Sequence, residues 1–416
     1  MSLFVQKFGG SSLSTLGHIE RVTDTVISAY NAGHQVVVVV SAMGKETDRL
    51  IQLAKTLALE PNTREYSALI ATGEQVSAAL FSICLENKGY KARSFTGGQA
   101  GILTDSQYEK ARIIHLDEHP IRQALSENYI AVVAGFQGVD KKGNITTLGR
   151  GGSDTTAVAL AACLSADECQ IFTDVDGVYT ADPRVEPKAR LLETITAEEM
   201  LELSSLGSKV LQVRAVEFAD KYHVPLRVLS SFTPGPGTKI TSGLEQQHEK
   251  NLENPLISGI TYNRQEAKLT LSNIPDNPGA AAHILDQISQ HAIEVDMIVQ
   301  NGSEKSQTDF TFTVHRDDYA RTMALLKKAA GSLSPEIQLS GNDRIAKLSL
   351  VGVGMRNHAG VAQKMFQALA LEHINILLIS TSEIKISVVI PEEKIETGVR
   401  ALHTAFRLDE PPKEAL

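Results

Sequence analysis

The sequence contains no tryptophan, and aromatic residues make up only 5% of its 416 positions. That scarcity argues against a surface that stacks nucleic-acid bases on aromatic rings. Basic residues are in the minority: 40 Lys and Arg stand against 49 Asp and Glu, a formal net charge of −9. A broadly basic nucleic-acid-binding surface is excluded, whereas a few local positive groups can still hold a small anion. The three cysteines, Cys84, Cys163 and Cys169, are too few and too unevenly spaced for a disulfide framework or a four-ligand zinc site, and read as core thiols in a reducing compartment. No apolar run is longer than Ala157–Leu164, far short of the roughly 18 residues that span a membrane. The opening residues Met1–Lys7 read as a strand and not as a signal peptide, so a cytoplasmic protein is expected. The Walker-type G-x-x-x-x-G-K-[ST] loop, the dinucleotide fingerprint G-x-G-x-x-G and the zinc motif H-E-x-x-H are all missing. His115 and His119 have the spacing of two ligands on one helix face, but Pro120 follows at once and a pair alone makes no metal site.

What is present is an alternation of strands and helices through the first 230 residues. Short apolar or β-branched runs recur at Leu3–Phe8, Val36–Ser41, Ile130–Ala134, Gln170–Thr173 and Leu226–Leu229, with amphipathic stretches between them such as Ile19–Ala32, Arg64–Lys88 and Thr155–Leu164. The Val36–Val40 run is apolar on both faces, as in a central strand covered by helices on each side. This predicts one large α/β domain with a mainly parallel sheet, a three-layer αβα arrangement. The texture changes at Thr233-Pro234-Gly235-Pro236-Gly237, and the polar segment 246–254 reads as a linker. Beyond it lies an internal repeat. Ala267–Leu271 is echoed by Ala346–Leu350, and Ile293–Ile298 by Ile374–Ile379, each copy reading as a ferredoxin-like βαββαβ unit. The expected domains are 1–245, 255–335 and 336–416.

Two glycine loops carry the chemistry. Lys7-Phe8-Gly9-Gly10-Ser11-Ser12 ends the first strand, and Gly149-Arg150-Gly151-Gly152-Ser153-Asp154 opens a helix. Glycine lets backbone N–H groups approach an anion, and a helix N-terminus adds positive potential. Each string alone is also compatible with a tight turn, and Ser153 or Asp154 with a helix cap. Two anion cradles on one sheet suit phosphoryl transfer between two anionic molecules. A third string, Thr173–Arg184, is turn-forming and offers acidic, Tyr and Arg side chains suited to a nucleotide.

These strings, with Val40-Ser41-Ala42-Met43-Gly44, Thr72-Gly73-Glu74 and Phe136-Gln137-Gly138, resemble the aspartate kinases of the amino-acid kinase family, and the tail resembles two ACT domains. One departure is Gln75, where arginine is expected after Gly-Glu. The resemblance implies ATP-dependent phosphorylation of the L-aspartate side-chain carboxylate, the first step of lysine, threonine and methionine biosynthesis. It implies catalysis by Lys7 and Asp154, with Asp154 orienting Lys7 and not acting as a base. It places the substrate on Ser41, Thr47, Glu74, Arg150, Gly151, Gly152 and Ser153, with Arg150 on the α-carboxylate and Glu74 on the α-ammonium. It places ATP on Lys7, Phe8, Gly9, Gly10, Thr173, Asp174, Tyr179, Asp182, Arg184 and Lys209. Mg2+ is expected on the ATP phosphates with few direct protein ligands. Lysine, threonine or both are implied as feedback effectors, at Asp276, Gly279, Ala281, Gln300 and Asn301 in the first repeat and Asn375, Ile376, Thr381 and Ser382 in the second. The resemblance also implies that the strand 256–262 pairs into the second ACT domain, and that association runs through the ACT domains, either as a homo-oligomer or with a separately made ACT subunit. The rival readings are a glutamate kinase of the same fold and a non-catalytic amino-acid sensor. A carboxylate near pKa 4 is already ionised at neutral pH, so the reaction needs no general base.

Overall fold

The computed structural model describes residues 2–207, 210–241, 256–302, 307–333, 336–353, 355 and 360–410. It divides into two compact units. The first comprises 1–179, 191–205 and 209–252; the second comprises 180–190, 206–208 and 253–416.

In chain order the first unit contributes β1 (Leu3–Phe8), β2 (Gln35–Val40), β3 (Ala92–Phe95), β4 (Ile102–Thr104), β5 (Ile113–Leu116) and β6 (Ile130–Ala134). It continues with β7 (Gln137–Val139), β8 (Ile145–Thr147), β9 (Glu168–Thr173), β10 (Thr194–Thr196), β11 (Leu226–Ser230) and β12 (Thr238–Thr241). The main sheet runs β10-β12-β11-β9-β1-β2-β6-β3. All its pairings are parallel except β11 with β12. Along β2, Val36, Val38 and Val40 pack with Ile19, Val22 and Val26 of the helix Leu16–Asn31 and with Phe81 and Leu85 of the helix Thr72–Asn87. Val37 and Val39 are buried on the opposite face, where the helix Gly152–Cys163 covers β1 and β2. That helix is buried along Gly152–Ala161, which explains its small, apolar sequence. Burying each such valine is worth roughly 1.5–3 kcal/mol.

Register sets the site. Phe8 lies level with Val40 and Phe172, Val40 with Ala134, and Phe172 with Leu229. The carboxyl ends of five parallel strands therefore form one edge, where ligands of open α/β sheets bind. A second sheet, β5-β4-β7-β8, was not visible as a pattern, because its strands are only three or four residues long.

The expected helix Arg64–Lys88 is two, Thr63–Ile70 and Thr72–Asn87, interrupted at Ala71. The Ala71 carbonyl accepts from Gln137 Nε2 at 2.8 Å. By length and composition the stretch Thr63–Asn87 is apolar enough to cross a membrane. Its inner face instead packs on the sheet through Ala78, Phe81 and Leu85. His115 lies on β5 and His119 opens the helix His119–Ser126, with Pro120 in its first turn, so the two do not share a helix face. Among the described residues no cluster of three or more His, Cys, Asp or Glu is placed to hold a metal.

The second unit holds β13 (Leu256–Pro275), β14 (Val295–Gly302), β15 (Gln307–His315), β16 (Gln338–Val353), β17 (Leu378–Thr381) and β18 (Lys385–Pro391). They form one sheet, β14-β15-β13-β16-β18-β17. β13 and β16 are far longer than the five-residue echoes in the sequence. Each is shared: β13 pairs through 266–275 with β15, and through 256–263 with the 347–353 half of β16. Two helices cover each repeat, Ala280–Ser289 and Tyr319–Leu333 over the first, Val361–Leu371 and Ile395–Ala405 over the second. The linker expected at 246–254 lies outside the described residues.

Candidate active site

The first glycine loop begins where β1 ends. Lys7 is buried on β1, and its Nζ stands 2.6 Å from Asp154 Oδ1. Asp154 lies in the first turn of the helix Gly152–Cys163, so the alternative reading of Ser153 or Asp154 as a helix cap does not hold. The cap position is Gly151, in the left-handed region at φ 67°, with no side-chain cap. Both members of the Lys7–Asp154 pair are about one-tenth exposed, so the pair interacts in a poorly solvated setting. A Cβ on Gly9 would lie 3.5 Å from Lys7 Nζ. The Gly9 N–H bonds the Phe172 carbonyl at the end of β9. Gly10 is pressed against the loop after β2: a Cβ there would fall 2.9 Å from the Ala42 carbonyl oxygen, and the Gly10 carbonyl accepts from the Gly44 N–H at 2.9 Å.

That loop leads to Glu74. The Ala42 N–H donates to Glu74 Oε1 at 3.1 Å, while Glu74 Oε2 is buried without a partner. Burial raises the Glu74 pKa to about 7, against the opposing pull of the Ala42 hydrogen bond. A buried carboxylate with one free oxygen is a ready acceptor for an ammonium group. Ser41 and Thr47 are half-buried in the same connection, Thr47 in the first turn of the helix Glu46–Leu57.

The second glycine loop meets the end of β6. A Cβ on Gly135 would fall 2.8 Å from Ser153, and one on Gly152 2.8 Å from the Phe136 ring. Phe136 itself is left-handed at φ 69°, and its N–H bonds Thr156 Oγ1. A bulky residue in that region stores strain of the kind found at functional sites. Arg150 is exposed on this loop, and no ion pair involves it among the described residues. Thr173 ends β9 and Asp174 follows it directly, the two joined by a 3.1 Å side-chain bond, and Tyr179 bonds Asp176 at 3.3 Å.

The amino acid kinase family model matches residues 2–230, and the ACT domain model matches 272–329 and 348–406. An aspartokinase of Pseudomonas aeruginosa is 59% identical over 414 residues, 100% of both chains. The chain belongs to the aspartokinases of the amino acid kinase family. The crystal structure of Escherichia coli aspartokinase III in complex with aspartate and ADP, an R-state, is 26% identical. It covers 97% of this chain and 100% of its own, with a TM-score of 0.78. The complex of the same protein with lysine and aspartate, a T-state, is 26% identical with a TM-score of 0.74, over 97% of this chain and 99% of its own. This aspartokinase family member is thus an enzyme, a phosphotransferase with a carboxyl group as acceptor.

In this family member the residues expected at the nucleotide are divided between the two units. Asp182 and Arg184 belong to the second unit. The Asp182 carboxylate accepts from the Arg184 side chain at 2.9 and 2.8 Å, which holds its pKa below the ordinary aspartate value. Lys209 lies outside the described residues. In the second unit, Asp276 is exposed, Gly279 is left-handed at φ 97° before the helix Ala280–Ser289, and Ala281 is half-buried. Gln300 and Asn301 are exposed and lie inside β14, which runs on to Gly302. Ile274 and Gly302 both pair with Thr308, so the loop after β13 and the end of β14 share one end of the sheet. In the second repeat, Asn375 is exposed and Ile376 half-buried before β17, and Thr381 and Ser382 are exposed at its end.

Sequence reasoning missed the supports. Gln75, noted only as a departure, donates to Gln137 Oε1 at 3.0 Å and so ties the Glu74 helix to the residue after Phe136. Gln212 packs so closely on Gly151 that a Cβ there would lie 1.8 Å from its Cγ. Ser12 and Ser231 share a buried hydrogen bond of 2.6 Å that joins the first loop to the end of β11. Only the Phe136-Gln137-Gly138 motif hinted at any of these contacts.

Proposed function

We propose that the chain transfers the γ-phosphoryl group of ATP to the side-chain carboxylate of L-aspartate, giving 4-phospho-L-aspartate and ADP. The observation that carries the reading is the buried Lys7–Asp154 pair beside a glycine turn, with a buried Glu74 one loop away whose second oxygen has no partner. In this mechanism a carboxylate oxygen of aspartate attacks the γ-phosphorus in line. The bond from that phosphorus to the β,γ-bridging oxygen breaks, and ADP leaves. No proton is moved, so the protein's task is positioning and charge stabilisation. Lys7 neutralises the charge that spreads over the transferring group, and Asp154 aims Lys7. The Gly9 N–H is taken by the Phe172 carbonyl, so of the two expected glycine donors Gly10 is the one whose N–H serves the phosphates, and Gly9 leaves room beside Lys7 Nζ. Arg150 grips the α-carboxylate as a planar fork, and Glu74 receives the α-ammonium. Ser41, Thr47, Gly151, Gly152 and Ser153 complete the acceptor pocket. Thr173, Asp174, Tyr179, Asp182, Arg184 and Lys209 hold the nucleotide, with Phe8 behind it. Magnesium arrives with ATP on the phosphate oxygens as part of the substrate.

The reading extends to regulation. Residues 1–245 form the catalytic domain, and 255–335 and 336–416 form two ACT domains that bind lysine, threonine or both as inhibitors of a cytoplasmic biosynthetic enzyme. The lysine complex of the Escherichia coli relative supports lysine as one effector. Copies associate through the ACT sheet, whose edge strands β14 and β17 each carry an isoleucine more than two-fifths exposed, Ile298 and Ile379. ADP release, measured with aspartate, with glutamate and with neither, tests the whole reading. Release with aspartate alone is expected. Equal release with glutamate assigns a broader carboxylate kinase, and release with neither acceptor assigns a sensor.

A further inference from the structure

The nucleotide loop is divided between the two units at Tyr179. Tyr179 pairs with Leu191 in a bridge within the first unit, while the eleven residues between them, Thr180–Arg190, belong to the second. There they are held from several directions. The Ile260 N–H donates to the Thr180 carbonyl at 2.7 Å. Thr180 Oγ1 accepts from the Arg190 N–H at 2.9 Å and shares a hydrogen bond of 3.0 Å with Nε2 of the buried His403. Ala181 and Val185 are built into the apolar core of the second repeat.

One of these contacts reaches the charged tip of the loop. The Tyr262 hydroxyl, on β13, donates to Asp182 Oδ2 at 3.2 Å. That oxygen also accepts from an Arg184 terminal nitrogen at 2.8 Å, and Oδ1 accepts from Arg184 Nε and N–H. The Asp182 carboxylate is thereby oriented by two groups, one on the loop and one on the sheet. The Arg184 side chain is 86% exposed, and two hydrogen bonds tie its guanidinium to Asp182. An exposed arginine loses rotatable degrees of freedom when it grips a phosphate or ribose, and a fixed carboxylate partner reduces that cost.

We propose that Tyr262 is a positioning residue for the nucleotide: its hydroxyl holds the Asp182 carboxylate, and that carboxylate holds Arg184 in the direction from which it meets ATP. This deepens the proposed function and rests on its assignment of Arg184 to ATP. Tyr262 touches neither substrate. Its effect belongs to nucleotide affinity and not to aspartate affinity.

The test uses the complete chain. Tyr262→Phe removes one oxygen and keeps the ring. Titration calorimetry with MgADP and initial-rate kinetics with each substrate varied in turn are the readouts. The MgADP Kd and the KM for ATP are expected to rise about three- to tenfold, in line with one lost hydrogen bond to a charged partner. The KM for aspartate and the unfolding midpoint are expected to stay near native. Asp182→Asn is expected to weaken MgADP in the same direction, and adding Tyr262→Phe to it is expected to cost little more. A native MgADP Kd in Tyr262→Phe overturns the proposal, as does a parallel rise in both KM values. MgADP binding that responds as expected in a chain that releases no ADP with aspartate would uphold Tyr262 and defeat the acceptor assignment alone. A native chain that binds no MgADP defeats both.

Discussion

At the scale of single residues, Glu74 and Lys7 are buried charges that meet different fates. Lys7 has Asp154 at 2.6 Å, whereas one oxygen of Glu74 has no partner among the described residues. With a pKa near 7, Glu74 carries a proton in much of the free enzyme at neutral pH. Binding the α-ammonium of aspartate requires the carboxylate, so the KM for aspartate is expected to climb as pH falls below about 7 and to level off above it. Glu74→Gln is expected to raise that KM about 10- to 100-fold and to flatten its pH dependence, the size set by loss of a charged hydrogen bond. Steady-state kinetics from pH 6 to 9 check both, and a native slope in the variant would remove Glu74 from the ammonium site. The stability sign is opposite. A folded-state pKa raised above the unfolded value makes the native state bind the extra proton, so the Glu74 contribution is present at low pH and is lost as pH rises through 7. Lys7→Ala is expected to lower kcat by about two to three orders of magnitude, the range for one preorganised charge-stabilising group. Because it also strands the Asp154 carboxylate, circular dichroism must show a folded protein; near-native turnover would dismiss the assigned role of Lys7.

At the scale of elements, the second glycine loop works as a wedge between a helix start and its neighbours. Gly151 is left-handed and has Gln212 where a side chain would go. Gly151→Ala is expected to cost about 2–5 kcal/mol, part from the backbone region and part from overpacking. Adding Gln212→Ala should restore the overpacking part only. Urea unfolding of the native chain and the two variants separates the two contributions, and a Gly151→Ala protein as stable as native would refute the geometry. The glycines of this loop were legible in the sequence, but Gln212 was not, since nothing in a chain shows which distant side chain will close on a given backbone. Gln75 illustrates the same limit. As a deviation from an expected arginine it carried no meaning until Gln137 lay 3.0 Å away and took the Ala71 carbonyl with its own amide, at the point where the long apolar helix breaks.

At the scale of the whole molecule, the two repeats do not stand alone, because β13 and β16 each run through both. The expected effector loop at Asp276 follows the end of β13, and Gln300 lies on β14 two strands away in the same sheet. Replacing either Asp276 or Gln300 by alanine is expected to raise the concentration of lysine or threonine needed for half-inhibition at least fivefold while leaving uninhibited turnover close to native. Inhibition curves with each amino acid, alone and together, check this, and unchanged curves in both variants would place the effector elsewhere. An effector inhibits only through its preference for the inactive arrangement. The alternation of strands and helices, the two glycine cradles and the internal repeat follow from local patterns in the chain, because hydrophobic period and glycine placement act over a few residues. Which carboxylate finds which cation, which carbonyl a glutamine takes, and that Asp182 and Arg184 pack with the second unit while Thr173 and Asp174 stay with the first, were decided only by the folded structure. Those outcomes depend on side chains that meet across separations of tens to hundreds of residues, where periodicity carries no information and burial and hydrogen-bond satisfaction choose the partners.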